Sequence, residues 1–389
     1  MKKIIFITII MFFGLKTFSQ ETESIITQIT QNNLTLKALE KSISADSLKN
    51  KTDLFLPNPE FGFSYLVGSP SEIGNRKDFS ILQQFDFPTA YIYKKQISDL
   101  ENDRLQFSYL QQYSEIVMQA KLICIDLIYY NMLIKEYTKR FDFAQKIASS
   151  YKLKFEIGET NILEYNKAEL NKLNSAKDLE KLHIEKQVLL NELIGLNGNI
   201  SITFTDTVFT HTEIPKDFEI WYAEAQKKNP MISWLKTEIE ICSKQENLSS
   251  ALSLPKFKAG YMSEFTAGQN FQGISLGVSI PLWENKNKQK YAQLKTQAAK
   301  DQENANNLMY FNTLKNFHSK ALSLQKSIDE YEINLLKFNN SELLYKALEQ
   351  GEIDVINYIS ELTFYYQSYI NFLDMEKELQ KTIVQMNRY

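Results

Sequence analysis

Apolar side chains recur along this chain with two different periods, and each period occurs twice. The first is helical. Between Tyr91 and Phe155 there is no proline or glycine, and apolar residues stand at Leu110, Tyr113, Val117, Ala120, Cys124, Leu127, Tyr130, Ile134, Tyr137 and Phe141. Steps averaging about 3.5 mark a coiled-coil seam rather than the wider face of a globular helix. The stepping returns at Leu308, Phe311, Leu314, Phe317, Ala321, Leu324, Ile328, Tyr331, Leu335 and Phe338. At about 1.5 Å per residue such a stretch would reach about 100 Å, whereas an average globular helix has roughly 11 to 12 residues. Helices of that length argue against one compact globular domain.

The second period is two. Phe61, Phe63, Tyr65 and Val67 alternate with Gly62, Ser64, Leu66 and Gly68, and Phe79, Ile81, Phe85 and Phe87 with Ser80, Leu82, Gln84 and Asp86. Phe257, Ala259, Tyr261 and Phe265 repeat the pattern, and Ile274, Leu276, Val278 and Ile280 against Gly273, Ser275, Gly277 and Ser279 show it most clearly. Four strands are predicted, each near the 9 to 11 residues (roughly) of a tilted membrane-spanning strand. One apolar, aromatic face and one small, polar face suit a barrel with lipid on one side and water on the other. A soluble hairpin packed on a helical core shows the same alternation.

The two copies are in register with each other. Phe87-Pro88 recurs as Ile280-Pro281, and the run from Gly158 to Tyr165 recurs from Gly351 to Tyr358, both at an offset of 193 (281 − 88 and 351 − 158). Equal length between proline and glycine predicts one rigid element in each copy. Leu56-Pro57 and Leu254-Pro255 are offset by 198, so the first copy carries five extra residues in a turn-rich stretch around Ser69 to Asn75. Repeats of this kind are units that rarely bury their apolar surface alone.

At Gly158 and Gly351 the helical pattern stops and resumes. A glycine there supplies a left-handed turn, with Thr160 or Asp354 near the next helix start. Each copy thus reads as a long antiparallel helical hairpin tipped by the glycine, with a kink in one continuous helix as the alternative. A helix is expected from Phe218 to about Ser250, with its counterpart from Glu23 to Leu54. The stretch from Gly195 to Pro215, with Ile200, Ile202 and Phe204 alternating with Ser201, Thr203 and Thr205, reads as a short strand or an irregular link. The resulting division is 1–19, 20–197 as first repeat, 198–216 as linker, and 217–389 as second repeat.

Residues 1–19 read as a secretory signal: Lys2 and Lys3, an apolar run from Ile4 to Leu15, then Thr17-Phe18-Ser19. No cysteine follows, so a lipid anchor on a new N-terminus is not expected. The remainder contains no run near 18 apolar residues, so no membrane-crossing helix is expected there. Net charge is −3, with 44 basic and 47 acidic residues interspersed, which gives no footprint for nucleic acid. An exported chain without a globular core favours the membrane reading of the strands. Backbone groups in lipid must all be paired, so a sheet there has to close on itself. Bacterial barrels begin at about eight strands, and this chain has four. The chain must therefore assemble.

With these elements placed, the chain resembles the TolC-like outer-membrane efflux proteins over nearly all its length after residue 19. Leu254-Pro255, the run Gly277 to Leu282, Asn229-Pro230 and the two glycine tips carry the resemblance through their doubled order. It implies a mainly α fold with membrane β: tandem helical hairpins forming an α-barrel, and four strands per chain entering a shared twelve-stranded barrel of a homotrimer. It also implies a periplasmic adaptor (membrane fusion) protein and an inner-membrane pump of RND or ABC type as partners. The adaptor would dock at Ile157, Gly158, Glu159 and Thr160 and at Gln350, Gly351, Glu352 and Ile353.

The periplasmic entrance would fall just beyond the second tip. Members often have acidic residues there, where this chain has Asn357 and Ser360; Glu352 and Asp354, or Glu164 after the first tip, are the acidic candidates, and all three also suit ordinary helix starts. The lipid-facing set is Phe61, Phe63, Tyr65, Phe79, Ile81, Tyr261, Ile274, Leu276, Val278 and Ile280, and the chain would sit in the outer membrane with a long periplasmic extension. The run Pro281 to Asn287 looks like members found with heavy-metal or small-cation pumps; drug efflux and protein secretion are the other substrates.

No enzyme is expected. His183, His211 and His318 stand alone and read as surface or interface residues, Cys124 and Cys242 as buried small hydrophobes, and no metal, cofactor or nucleotide motif is found. Conduction needs only a polar lumen and a gate. A periplasmic adaptor or structural coiled-coil protein without a pore is the rival reading; an adaptor would show one hairpin flanked by β-rich domains.

Overall fold

The structure, a computed structural model, describes residues 20–210, 212–338 and 340–388; the expected export signal at 1–19 and His211 lie outside the described residues. The order is α1 (Gln20–Asn32), α2 (Leu34–Lys49), β1 (Glu60–Leu66), β2 (Arg76–Phe85), α3 (Pro88–Glu156), α4 (Ile162–Leu196), α5 (Phe218–Lys228), α6 (Pro230–Ala251), β3 (Lys256–Thr266), β4 (Gln269–Ser279), α7 (Lys288–Lys337), α8 (Ser341–Glu349) and α9 (Val355–Met386). The strands form one antiparallel sheet in sequence order. β1, at 7 residues, is shorter than a spanning strand was expected to be, while β2, β3 and β4 have 10, 11 and 11.

Local chemistry explains several departures from the expected helices. The single helix expected over Phe218–Ser250 is two, because Pro230 cannot donate a backbone hydrogen bond to a continuing helix. Asn229 caps the second piece, its Oδ1 accepting from the Met231 N–H at 2.8 Å. The counterpart from Glu23 onward breaks likewise at Asn33, whose Nδ2 donates to Leu196 O at 2.9 Å. The second long element also differs from expectation. α3 is continuous over 69 residues from its N1 proline, whereas the second copy starts only at Lys288 and is interrupted between Lys337 and Ser341. Asn340 and Ser341 stand at that interruption, and their side chains compete with helical backbone bonds.

The structure divides into two compact units, each described separately. One takes the described residues up to Leu34 with Ser114–Trp221 and Thr313–Arg388; the other takes Thr35–Tyr113 and Tyr222–Asn312. The first is helical. In it α3 is buried not on a narrow seam but on a wide arc, with Ile116, Ile123, Ile125, Ile128, Tyr129 and Leu133 covered as well as Ala120, Cys124 and Leu127. α7 keeps the narrow seam: Leu314, Ala321 and Ile328 are buried, the latter two in one cluster with Leu379, Ile383 and Met386 of α9.

One stretch of α3 is long and apolar enough to cross a membrane by length and composition alone, and more than half of that stretch is buried within the protein. The described residues of the link, 200–210 and 212–217, are irregular and show no strand pairing. Ile202 and Phe204 are buried, and the Glu21 carboxylate accepts from the Asp206 N–H at 3.0 Å. His318 is buried rather than exposed, its Nε2 2.7 Å from Pro215 O at the end of this link.

The second unit holds the sheet and the adjoining helical segments. Arg104 of α3 ties two carboxylates there, Glu101 one turn away and Glu238 on α6, with the Trp234 ring 5.8 Å from its Cζ.

Candidate functional site

Direct cross-strand partners share a face of an antiparallel sheet, so the register fixes which side chains lie together. One row is Phe61, Ile81, Tyr261 and Ile274; the next toward the strand turns joins Phe63 to Phe79 and Ser263. Rows of the same face, away from the strand turns, join Ala259 to Leu276 and Phe257 to Val278. Nine of the ten residues in the expected lipid-facing set therefore lie on one face. The tenth, Ile280, follows β4 in the same alternation. The face is uncovered in the single chain, with Ile274 83% and Leu276 79% exposed.

The opposite face carries Ser64, Asp78, Glu264 and Phe271 in one row and Gln84, Lys258 and Gly277 in another, with Leu82 and Met262 in the rows between. Arg76 bridges Asp78 and Glu264 there, at 2.8 and 3.0 Å. Toward the β3–β4 turn the apolar face also turns polar: Tyr261 Oη donates to Gln272 Oε1 at 2.6 Å, and Ser263 Oγ to Asn270 Oδ1 at 3.0 Å. Among the described residues β1 and β4 each pair on one side only, leaving two open edges.

At the other end of the sheet stand residues the sequence reading did not assign to lipid. Trp283 is 80% exposed, and Phe55, Leu56 and Leu282 are exposed too. Their signal was available: they are apolar residues immediately flanking the strands and carry no helical or strand period of their own.

The two glycine tips lie in the helical unit and are built alike. Gly158 has φ +82° and Gly351 φ +75°. Glu159 N–H bonds Lys154 O at 2.7 Å and Gly158 N–H bonds Phe155 O at 3.1 Å; Glu352 to Ala347 and Gly351 to Leu348 repeat this at 2.9 and 3.2 Å. That is the Schellman closure of a helix, which needs a left-handed residue at this point. The next helix is capped by Asn161 rather than Thr160 in the first copy, with Oδ1 accepting from Leu163 and Glu164 N–H groups, both at 3.0 Å. Asp354 caps the second, accepting from Asn357 N–H at 2.7 Å.

Tyr151 and Ala168 pack with Leu348, Val355 and Tyr358 in one buried cluster, which ties the hairpins together just behind their tips. Ile157 and Leu163 remain exposed at the first tip. The four entrance candidates are not gathered into one group. Asp354 and Asn357 bond each other, Glu164 accepts from Thr160 Oγ1 at 3.1 Å, and Ser360 is exposed. Glu164 and Asp354 both act on Tyr151, whose hydroxyl pKa is raised first by burial and then by these two carboxylates.

Among the described residues no group of three His, Cys, Asp or Glu side chains could hold a metal ion, and both cysteines are buried free thiols. Burial pushes the Cys124 thiol up to about 12.

A four-stranded sheet with two open edges, continuous in chain with paired helical hairpins turning on matched glycines, is the protomer fold of TolC-like outer-membrane channels; at this level the resemblance read from the sequence is borne out. In particular, the chain is similar to CusC, known from crystal structures concerned with folding and transmembrane channel formation, at a TM-score of 0.78 and 14% identity over 95% of this chain and 92% of that one. It is similar to a membrane protein from Pseudomonas aeruginosa at 0.78 and 13%, covering 96% and 91% of the two chains. With the Campylobacter jejuni CmeC outer membrane channel the TM-score is 0.76 at 14% identity, covering 95% and 85%. No protein-family model and no curated protein matches the chain. At these identities the likeness is one of fold.

Proposed function

We propose that this protein is the outer-membrane exit duct of a tripartite efflux system, passive and without enzymatic activity. The observation that carries the reading is the sheet: an exposed apolar face, an opposite face that holds the sheet's charged cluster of Arg76, Asp78 and Glu264, and two open edges. Lipid leaves unpaired backbone groups unsatisfied at a cost of several kcal/mol each (roughly), so the edges must pair with further copies. Three copies make twelve strands, and the fold of the similar channels supports that number. The ten apolar-face residues then meet lipid, and the Asp78–Arg76–Glu264 face lines the lumen.

The two repeats, divided as 20–197 and 217–389 by the link, both contribute to a helical tunnel. The tips at Ile157–Thr160 and Gln350–Ile353 are the adaptor-docking points, exposed and apolar at Ile157. Glu164, Asp354, Asn357 and Ser360 face the periplasmic entrance, and an RND or ABC pump in the inner membrane supplies the driving force. Small cations, including heavy metals, and drugs are the cargo classes to test.

The deciding experiment is the detergent-corrected molar mass of the chain extracted from outer membranes, followed by planar-bilayer conductance of that particle. Three copies and discrete conductance are expected. A detergent-free soluble monomer would sink the duct and promote a poreless periplasmic coiled coil.

A further inference from the structure

Arg140 of α3 is a charged group that the duct does not need. It points into a cavity of about 250 Å³ bounded by α3, α4 and α9 within the helical unit. Its side chain is 11% exposed, and its Nε and Nη2 atoms are buried without a hydrogen-bond partner. The Tyr366 and Tyr137 ring centroids lie 3.6 and 4.4 Å from its Cζ. Glu136 Oε1 stands 3.5 Å from Nε, close enough to offset charge but not to bond it.

A guanidinium has five N–H donors and no acceptor, and its fork matches a carboxylate through two parallel bonds. With aromatic rings against its faces, the free donors can be reached only in the guanidinium plane. The rest of the cavity is amphipathic: Phe143, Ile147 and Leu362 are apolar, while Asn171, Ser175 and Gln367 offer amide and hydroxyl groups. Buried donors left unpaired are unfavourable, and a site with convergent polar groups in an apolar hollow is the usual form of a small-molecule pocket. Its volume lies just below the usual lower bound of roughly 300 Å³ for such pockets, which sets the guest at single-ring size.

We propose that this cavity binds a small carboxylate with an apolar body, the carboxylate paired with Arg140 and the body against Phe143, Ile147 and Leu362. Asp178 also lines the cavity and is the competing internal partner; were it to swing onto Arg140, no guest would bind. The inference is independent of conduction, because it rests on the helical unit alone.

Benzoate and benzamide share a shape and differ in charge, so they separate the two parts of the site. The full chain in lipid nanodiscs should take up benzoate saturably in equilibrium dialysis, with benzamide at least tenfold weaker. A charge-assisted hydrogen bond corresponds to about 10- to 150-fold in affinity, so Arg140→Gln should lose at least tenfold for benzoate and leave benzamide unchanged. Thr363 is an exposed rim residue, and Thr363→Trp should close the mouth and abolish benzoate binding even if Arg140→Gln fails to fold. Absence of saturable benzoate binding, equal binding of the two probes, or full binding by Thr363→Trp would overturn the site.

Discussion

The two repeats span the same distance in sequence and cross it differently. From Pro88 to the first tip the chain is one helix; from Pro281 to the second it makes a seven-residue loop, a 50-residue helix, a break and a 9-residue helix. At the offset of 193, Ile147 and Ala148 of the first repeat correspond to Asn340 and Ser341 of the second. Ile147 and Ala148 are buried in the cluster behind the tips, so the first helix is held by packing where the second carries groups that favour turns. Yet both arrive at a glycine closed by the same pair of backbone bonds. Length and tip geometry are common to the two repeats, and helix continuity is not.

The largest effect should come where the repeats behave alike. Ile81 in the first and Leu276 in the second lie on the apolar face of the sheet. An arginine at either should cost about 2 to 4 kcal/mol at the bilayer midplane and abolish trimer formation, read as particle mass in detergent. Ser275→Arg, on the polar face, should leave the mass unchanged. A normal trimer from Leu276→Arg would remove lipid from that face, and loss from only one of the two apolar-face variants would mean the repeats contribute unequally.

The next effect should separate them. Ser149 and Glu342 are equivalent positions, one inside α3 and the other in the first turn of α8. Ser149→Pro should cost about 3 kcal/mol or more by breaking an interior helical bond, while Glu342→Pro should cost less than about 1 kcal/mol. Thermal melting of the two variants in one detergent measures the difference. Equal losses would mean that the interruption at Asn340 is not a true helix end.

At the tips the repeats should agree again. No atom lies within 4 Å of a Cβ built on Gly158 or Gly351, so Ala at either is penalised only by its positive φ. Each change should cost about 1 to 2 kcal/mol. A loss at one tip alone would show that its turn is made differently in solution.

Much of this architecture was legible because strand alternation and lone glycines are local signals. Ile274, Leu276 and Val278 announce a shared face, and Gly158 and Gly351 announce their turns before any contact is known. The break at Asn340 was hidden by the apolar steps at Tyr331, Leu335 and Phe338 that lead into it. Pro230 carries its own signal, a proline that starts a helix instead of continuing one. The wide burial of α3 was not visible from one seam, because Ile116, Ile125 and Leu133 are off the 3.5-residue count and only their neighbours in space cover them. The cavity at Arg140 has no sequence signature at all, since α3, α4 and α9 meet there from distant parts of the chain.

The smallest effect is a titration confined to the second repeat. Glu376 on α9 corresponds to His183 on α4 at the same offset; His183 is exposed, while Glu376 is part-buried. Burial, and secondarily Glu332, pushes the Glu376 carboxyl up to about 7 from an ordinary 4.5. A raised carboxyl favours the protonated folded form, so its contribution is fully present below about pH 4.5, where both states are protonated. The contribution is lost as pH rises toward 7 and beyond, when the folded state must hold a charge away from water. With partial solvent access the loss is on the order of 1 kcal/mol. Melting temperature should therefore carry a downward component between pH 5 and pH 8 (roughly), which Glu376→Gln flattens and His183→Gln leaves intact. An unchanged slope in Glu376→Gln would mean that this carboxylate is solvated in the assembled particle, and that the two repeats are electrostatically alike where they look most different.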